Sequence, residues 1–292
     1  MKNYICALTI IALSLSQALA CDVNGQSGFA PKNDMYIGVD EKRVSSITQE
    51  IFSKSMDRVY DIYAPIVKAK GGDLIMVKNW NSGEVNAFAS RSPVNAREWT
   101  VEMFGGLARH PLMTNDGFMM VICHELGHHI GGAPIIAREW AANEGQADYF
   151  ASLKCLRRVL EKDDNIGVVS QMNIEPIVTK KCEAVYKSAN EVAICQRIAT
   201  AAKVLAKILS GLDERSTVNH STPDLKVVMR TNDNHPAAQC RLDTYFQGAL
   251  CDKSFSIDVD NKDPIIGSCV KRDGYIDGVR PLCWYKPGSN EI

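Results

Sequence analysis

The spacing of hydrophobic and polar positions changes several times along the chain, and each change marks an element. Between residues 45 and 70 the apolar side chains fall at Ile47, Ile51, Phe52, Met56, Val59, Ile62, Tyr63 and Ile66. That spacing lays one apolar stripe along a helix. Ser46 and Gln49 are placed to form a capping box at its start, and Gly71-Gly72 to stop it. Residues 73–77, 85–89 and 99–103 read instead as short strands, with Asn81-Ser82-Gly83 as a hairpin signal between the first two. This predicts a small antiparallel sheet. Residues 118–123 form an unbroken apolar run suited to a buried helix, which Gly131-Gly132 and Pro134 should end. A second helix is expected from Glu139 through Ala151 and on towards Leu160. Residues 152–212 stay helical in pattern, with a break near 163–165, and His235-Pro236 leads into a helix carrying Arg241. The expected fold class is α+β, mainly helical, with the small sheet packed beside the buried helix.

That helix carries candidate chemistry. His124-Glu125-Leu126-Gly127-His128 is an HExxH motif. Positions i and i+4 share a helix face, so both imidazoles can hold one metal ion, and Glu125 sits where it can take a proton from a bound water. Glu144 and Asp148 form a second i,i+4 pair on the following helix. If the two helices run antiparallel, Glu144 lies opposite His128 and completes a His-His-Glu site. Asp148 then lies opposite His124 and can accept its free ring N–H. Two matched pairs are far more specific than HExxH alone. Glu139 is a weaker candidate ligand, because its i+4 partner is Asn143. His110 and His129 read as ordinary polar residues. Two imidazoles, one carboxylate and an open position suit zinc.

The motifs resemble those of gluzincin zinc peptidases, most closely the HtpX-like and CAAX-prenyl-protease-type family. HExxH is followed by Glu144-x-x-Ala147-Asp148. Val85-Asn86-Ala87-Phe88-Ala89 is similar to the family's segment ahead of the HExxH helix, and Asn234-His235-Pro236 through Arg241 to its later His-Pro…Arg segment. These matches keep the family's order across roughly residues 45–250. Only 15 residues separate His128 from Glu144, which points to a compact relative. The resemblance implies a zincin-like fold and a Zn2+ cofactor. It implies a substrate-binding edge strand at Asn86, Ala87 and Phe88. It also places His235 and Arg241 at the active-site rim. There either could stabilise the oxyanion formed when water attacks a carbonyl, and His235 could instead occupy the metal's open position. The structural alternative makes His235 a helix cap and Arg241 half of an ion pair.

Composition adds compartment and partners. The 292 residues carry a formal charge of -1, which gives no electrostatic reason to expect nucleic acid or an anionic membrane as partner. Residues 1–20 read as a signal peptide: Lys2, an apolar run at 5–15, and Ala18-Leu19-Ala20 before the cleavage point. Cleavage there makes Cys21 the first mature residue and a possible lipid-attachment site, although Ala18 stands where a lipobox usually has Leu. Export would place nine cysteines in an oxidising compartment. Cys123, on the buried helix, is expected to be a free thiol, and the other eight outside Cys6 to pair. The absence of a CxxC pair argues against a cysteine zinc site. Residues 21–250 are expected to form the catalytic domain and 251–292 a Cys-rich tail packed on it. The expectation is an exported, periplasmic or secreted zinc endopeptidase acting on proteins or peptides. Two other readings share the site: a latent or non-catalytic zinc-containing assembly factor, and a hydrolase of non-peptide amides.

Overall fold

The computed structural model describes residues 28–137, 139–212 and 217–292, with the backbone of Ala18 and Leu19. The expected cleavage point after Ala20 and the candidate acylation site Cys21 lie outside the described residues. Helix α1, Gln49–Ala69, is capped by the Thr48 hydroxyl, which accepts from the Ile51 amide at 3.2 Å. Thr48 thus replaces the expected box of Ser46 and Gln49. Its buried stripe of Phe52, Met56, Val59, Tyr63 and Val67 follows the helical spacing. Pro65 sits inside the last turns without ending the helix.

The sheet corrects one expectation. Strands β1, Asp73–Asn79, and β2, Ala87–Arg91, do not pair with each other. Strand β3, Glu98–Phe104, lies between them, parallel to β1 and antiparallel to β2, so the small sheet is mixed. Arg109, in the short helix α2, Gly105–Arg109, explains why residues 81–83 do not turn back. Its guanidinium donates to the carbonyls of Ile37, Trp80 and Ser82 at 3.0, 2.8 and 2.8 Å. The Gly106 amide donates to the Ser82 carbonyl as well. The connection is thereby tied to α2, and the alternating strand β3, burying Trp99, Val101 and Met103, takes the central place. Residues Ala18–Leu19 pair antiparallel with the outer edge of β2, opposite Arg91 and Ser90.

Helix α3, Asn115–Ile130, packs against α1 and the sheet, with the Thr114 hydroxyl as its N-cap. Every side chain from Phe118 to Ile130 is buried, as the apolar run predicts. The second helix starts at Glu144 rather than Glu139. Residues 135–142 fold back first, Ala142 donating to the His128 carbonyl at 3.0 Å, and Asn143 then caps α4, Glu144–Phe150. A π turn, Ala151–Cys155, follows, and α5, Leu156–Leu160, completes the expected reach to Leu160. Helices α6, Asn165–Val169, α7, Pro176–Val185, α8, Ala189–Ser210, and α9, Ala238–Leu250, build the far side of the core.

Among the described residues four disulfides join Cys123–Cys155, Cys182–Cys195, Cys240–Cys283 and Cys251–Cys269. Cys123 is therefore not the free thiol expected of it. The π turn brings Cys155 opposite it on the neighbouring helix, a tertiary proximity that spacing cannot reveal. Residues 251–292 pack through Trp284, buried against Gly145, and through Arg280, which donates to Gln146 Oε1 at 2.7 Å. No described helix is long and apolar enough to cross a membrane.

Candidate metal centre

Two helices present the site. HExxH occupies the last turns of α3, and Glu144 and Asp148 the first turns of α4. The helices approach closely because Gly127 faces Ala147: a Cβ on Gly127 would stand 2.9 Å from the Ala147 Cα. The predicted facing pairs form. His124 Nδ1 lies 2.7 Å from Asp148 Oδ1. His128 Nδ1 bonds the Ala142 carbonyl at 2.8 Å. Both Nε2 atoms are thus turned towards Glu144, the orientation that outer hydrogen bonds impose on metal-ligating imidazoles.

The ligand atoms fit one ion. His124 Nε2 and His128 Nε2 are 3.2 Å apart. His124 Nε2 to Glu144 Oε2 is 3.3 Å, and His128 Nε2 to Glu144 Oε1 is 3.7 Å. Ligands about 2.0–2.1 Å from a tetrahedral ion stand about 3.3–3.4 Å from one another. Both oxygens of Glu144 are buried without a hydrogen bond, with the imidazoles of His124, His128 and His235 facing them at 3.3–3.7 Å. A buried carboxylate so placed calls for a cation. Asp224, Cys240 and Cys283 also cluster, but both cysteines are consumed by their disulfide.

Charge in the site is balanced by contact. Burial opposes a charge on His124, yet Asp148 and Glu144 beside it raise its imidazole to about 9. Burial drives His128 down to about 4. For Glu144 burial pushes upward, and the surrounding imidazoles of His235, His128 and His124 overcome it, holding the carboxyl near 2. Burial likewise acts upward on Asp148, but Arg241 and His124 hold it well below the ordinary carboxylate range.

Arg241 departs from the role expected of an oxyanion donor. Its Nε and Nη2 grip both oxygens of Asp148 at 2.7 Å each, and its Nη1 donates to the Phe29 carbonyl at 2.6 Å. It supports His124 through Asp148. His235 is the rim residue: its Nε2 stands 3.3 Å from Glu144 Oε2 and donates to the Gly28 carbonyl at 2.7 Å. Asn86 is buried and bonded to Ala30, while Ala87 presents its carbonyl to the Phe29 amide. Phe88 packs edge-on against Phe104. His129 lies outside the site, stacked between Trp99 and Trp140 with its Nε2 on the Thr100 carbonyl. His110 caps α2, and Glu139 precedes the helix that carries Glu144. Sequence reasoning missed Gly28 and Phe29, since neither carries a titratable group or a motif. It also missed the Ala142 carbonyl, which no side-chain pattern can report.

Comparison with known protein families, curated proteins and solved structures finds no match.

Proposed function

We propose that this chain is an exported zinc-dependent endopeptidase of gluzincin type. The observation that supports the reading best is the His124–His128–Glu144 triangle with Glu125 buried in the same turn of α3. A zinc ion bound by those three residues would acidify a water and polarise a carbonyl. The chain's own groups supply the rest. Glu125 takes the proton from the attacking water and returns it to the leaving amine. Asp148, clamped by Arg241, keeps His124 in the tautomer whose Nε2 faces the metal position. His235 offers an N–H at the rim, where charge develops on the carbonyl oxygen. The outer edge of β2, where the chain's own residues 18–19 and 29 now pair, can bind an extended peptide through backbone hydrogen bonds once they are displaced, with little demand on its sequence. Four disulfides and the leader-like first 20 residues support an extracytoplasmic setting, with envelope or external proteins as substrates.

The test compares purified wild type with Glu125→Gln, measuring zinc content and cleavage of an unfolded protein together. Both should bind about one zinc, with cleavage by the variant lower by about a hundredfold or more. Equal, measurable cleavage by the two would remove Glu125 from its role, whereas zinc in both and cleavage by neither would leave a latent enzyme, another substrate class or a binding factor. One observation favours a latent form of the same enzyme over a purely structural zinc protein: the three ligands and Glu125 are fully buried in a site that still carries a general base.

A further inference from the structure

Residues near the start of the described chain pack directly on the site. Residues 28–30 lie across it, all three buried. The Gly28 carbonyl accepts from His235 Nε2 at 2.7 Å, and that same nitrogen is 3.3 Å from Glu144. The Phe29 amide donates to the Ala87 carbonyl at 2.9 Å, next to the outer edge of β2. The Phe29 carbonyl accepts from Arg241 Nη1 at 2.6 Å. The Phe29 ring meets His124 edge-on, centroids 5.4 Å apart, with the Arg241 guanidinium over it at 4.7 Å. Asn86 closes the row: its Oδ1 accepts from the Ala30 amide at 2.9 Å and its Nδ2 donates to the Ala30 carbonyl at 3.1 Å. From the Gly28 carbonyl to the Ala30 carbonyl, each backbone polar group is held by a residue at the site or at the start of β2.

A segment that merely tied down the N-terminus would need the anchors at Asn86 and Arg241 and nothing more. This one also turns a peptide carbonyl onto His235, the residue that borders Glu144, and lays the next side chain on a ligand imidazole. Those are the demands of a bound peptide: backbone pairing along a strand edge, one carbonyl at the reacting position, and one side chain in an adjoining pocket. Glycine is required at the first position, since a Cβ on Gly28 would stand 2.0 Å from the Ala87 carbonyl oxygen.

We propose that residues 28–30 are a built-in pseudosubstrate that keeps the site latent until the segment is displaced. The peptides the site accepts share its pattern: extended, with glycine before and a large aromatic side chain after the bond presented to His235. This rests on the peptidase reading of the site.

The experiment uses the full mature chain, the variants Gly28→Val and Phe29→Ala, and a labelled synthetic peptide with the sequence of residues 27–33. Peptide binding is read by fluorescence anisotropy, zinc loss by the rate of extraction into a chelator, and turnover on an unfolded protein. Wild type should bind the peptide poorly and release zinc slowly. Both variants should bind it, release zinc about tenfold faster and cut faster, because the cover opens more often. Peptide binding and zinc release equal to wild type in both variants would overturn the proposal. If the variants fail to fold, the wild-type chain still decides. Excess peptide should abolish hydrogen-exchange protection at the Phe29 and Ala30 amides, and retained protection would reject displacement. Faster zinc release and peptide binding without any cutting would uphold the cover and reject the peptidase reading. Equal cutting by all three chains without peptide binding would do the reverse.

Discussion

Asp148 and Arg241 show how much of the site depends on residues that never meet the metal position. Both are essentially unexposed, and each satisfies the other with two hydrogen bonds. Removing one partner strands a buried charge, at a cost of about 3–5 kcal/mol. Arg241→Met should lower stability by that amount in denaturant unfolding. Asp148→Asn should weaken zinc binding about 10–100-fold in a competition titration, because His124 loses the acceptor that orients it. An unchanged affinity would show that α3 alone fixes the ring. Asp148 was legible from its i,i+4 relation to Glu144, since helix geometry converts spacing into a shared face. For Arg241 the structural alternative, half of an ion pair, is the one the structure shows, but nothing in the sequence says that its fork would be filled by Asp148 and the Phe29 carbonyl.

At the scale of elements, the site exists because α3 and α4 nearly touch. Gly127 permits that approach. Substituting Ala would gain about 1 kcal/mol of helix propensity, but the added carbon would press on the Ala147 backbone at 2.9–3.0 Å. Overpacking typically costs about 1–3 kcal/mol, so the clash should win. Gly127→Ala is expected to unfold at lower denaturant and to bind zinc more weakly; a more stable variant would show that the helices can part freely. The helices themselves were readable from apolar spacing and caps. The sheet order was not. The three strands fell near their expected segments, the second shifted by two residues from 85–89 to Ala87–Arg91, but their pairing depends on Arg109 holding three loop carbonyls, which only the tertiary arrangement supplies. The start of α4 was misplaced by five residues for a similar reason. Ile135 and Ile136 pair with Ala142 and Ala141, and the Ala142 amide is anchored on the His128 carbonyl at the end of α3, a tertiary tie that the local sequence does not announce.

Across the whole molecule, disulfides fasten the helices that carry the site and the tail that backs them. Cys123–Cys155 links α3 to the π turn after α4, closing 32 residues of chain. Loop-closure entropy for that length amounts to about 3–4 kcal/mol. The double variant Cys123→Ala and Cys155→Ala should therefore melt well below wild type, and reductant should lower the wild type's melting temperature. Insensitivity to both would show that core packing alone holds α3 against α4. The tail reaches the same place from behind: Arg280 bonds Gln146, whose Nε2 in turn donates to the Gly131 carbonyl at the end of α3. Export and the cysteine count announced a stapled chain, but Cys123 reads in sequence as the free thiol, and the partners had to come from the fold.

The measurement that bears most directly on the account is metal content with X-ray absorption at the zinc edge, on wild type and on His128→Ala. The account predicts about one zinc per wild-type chain, with nitrogen and oxygen neighbours near 2.0–2.2 Å and no sulfur at about 2.3 Å, and loss of most of that zinc from the variant. A wild-type chain purified without metal that takes up no added zinc would contradict it, as would zinc retained in full by His128→Ala.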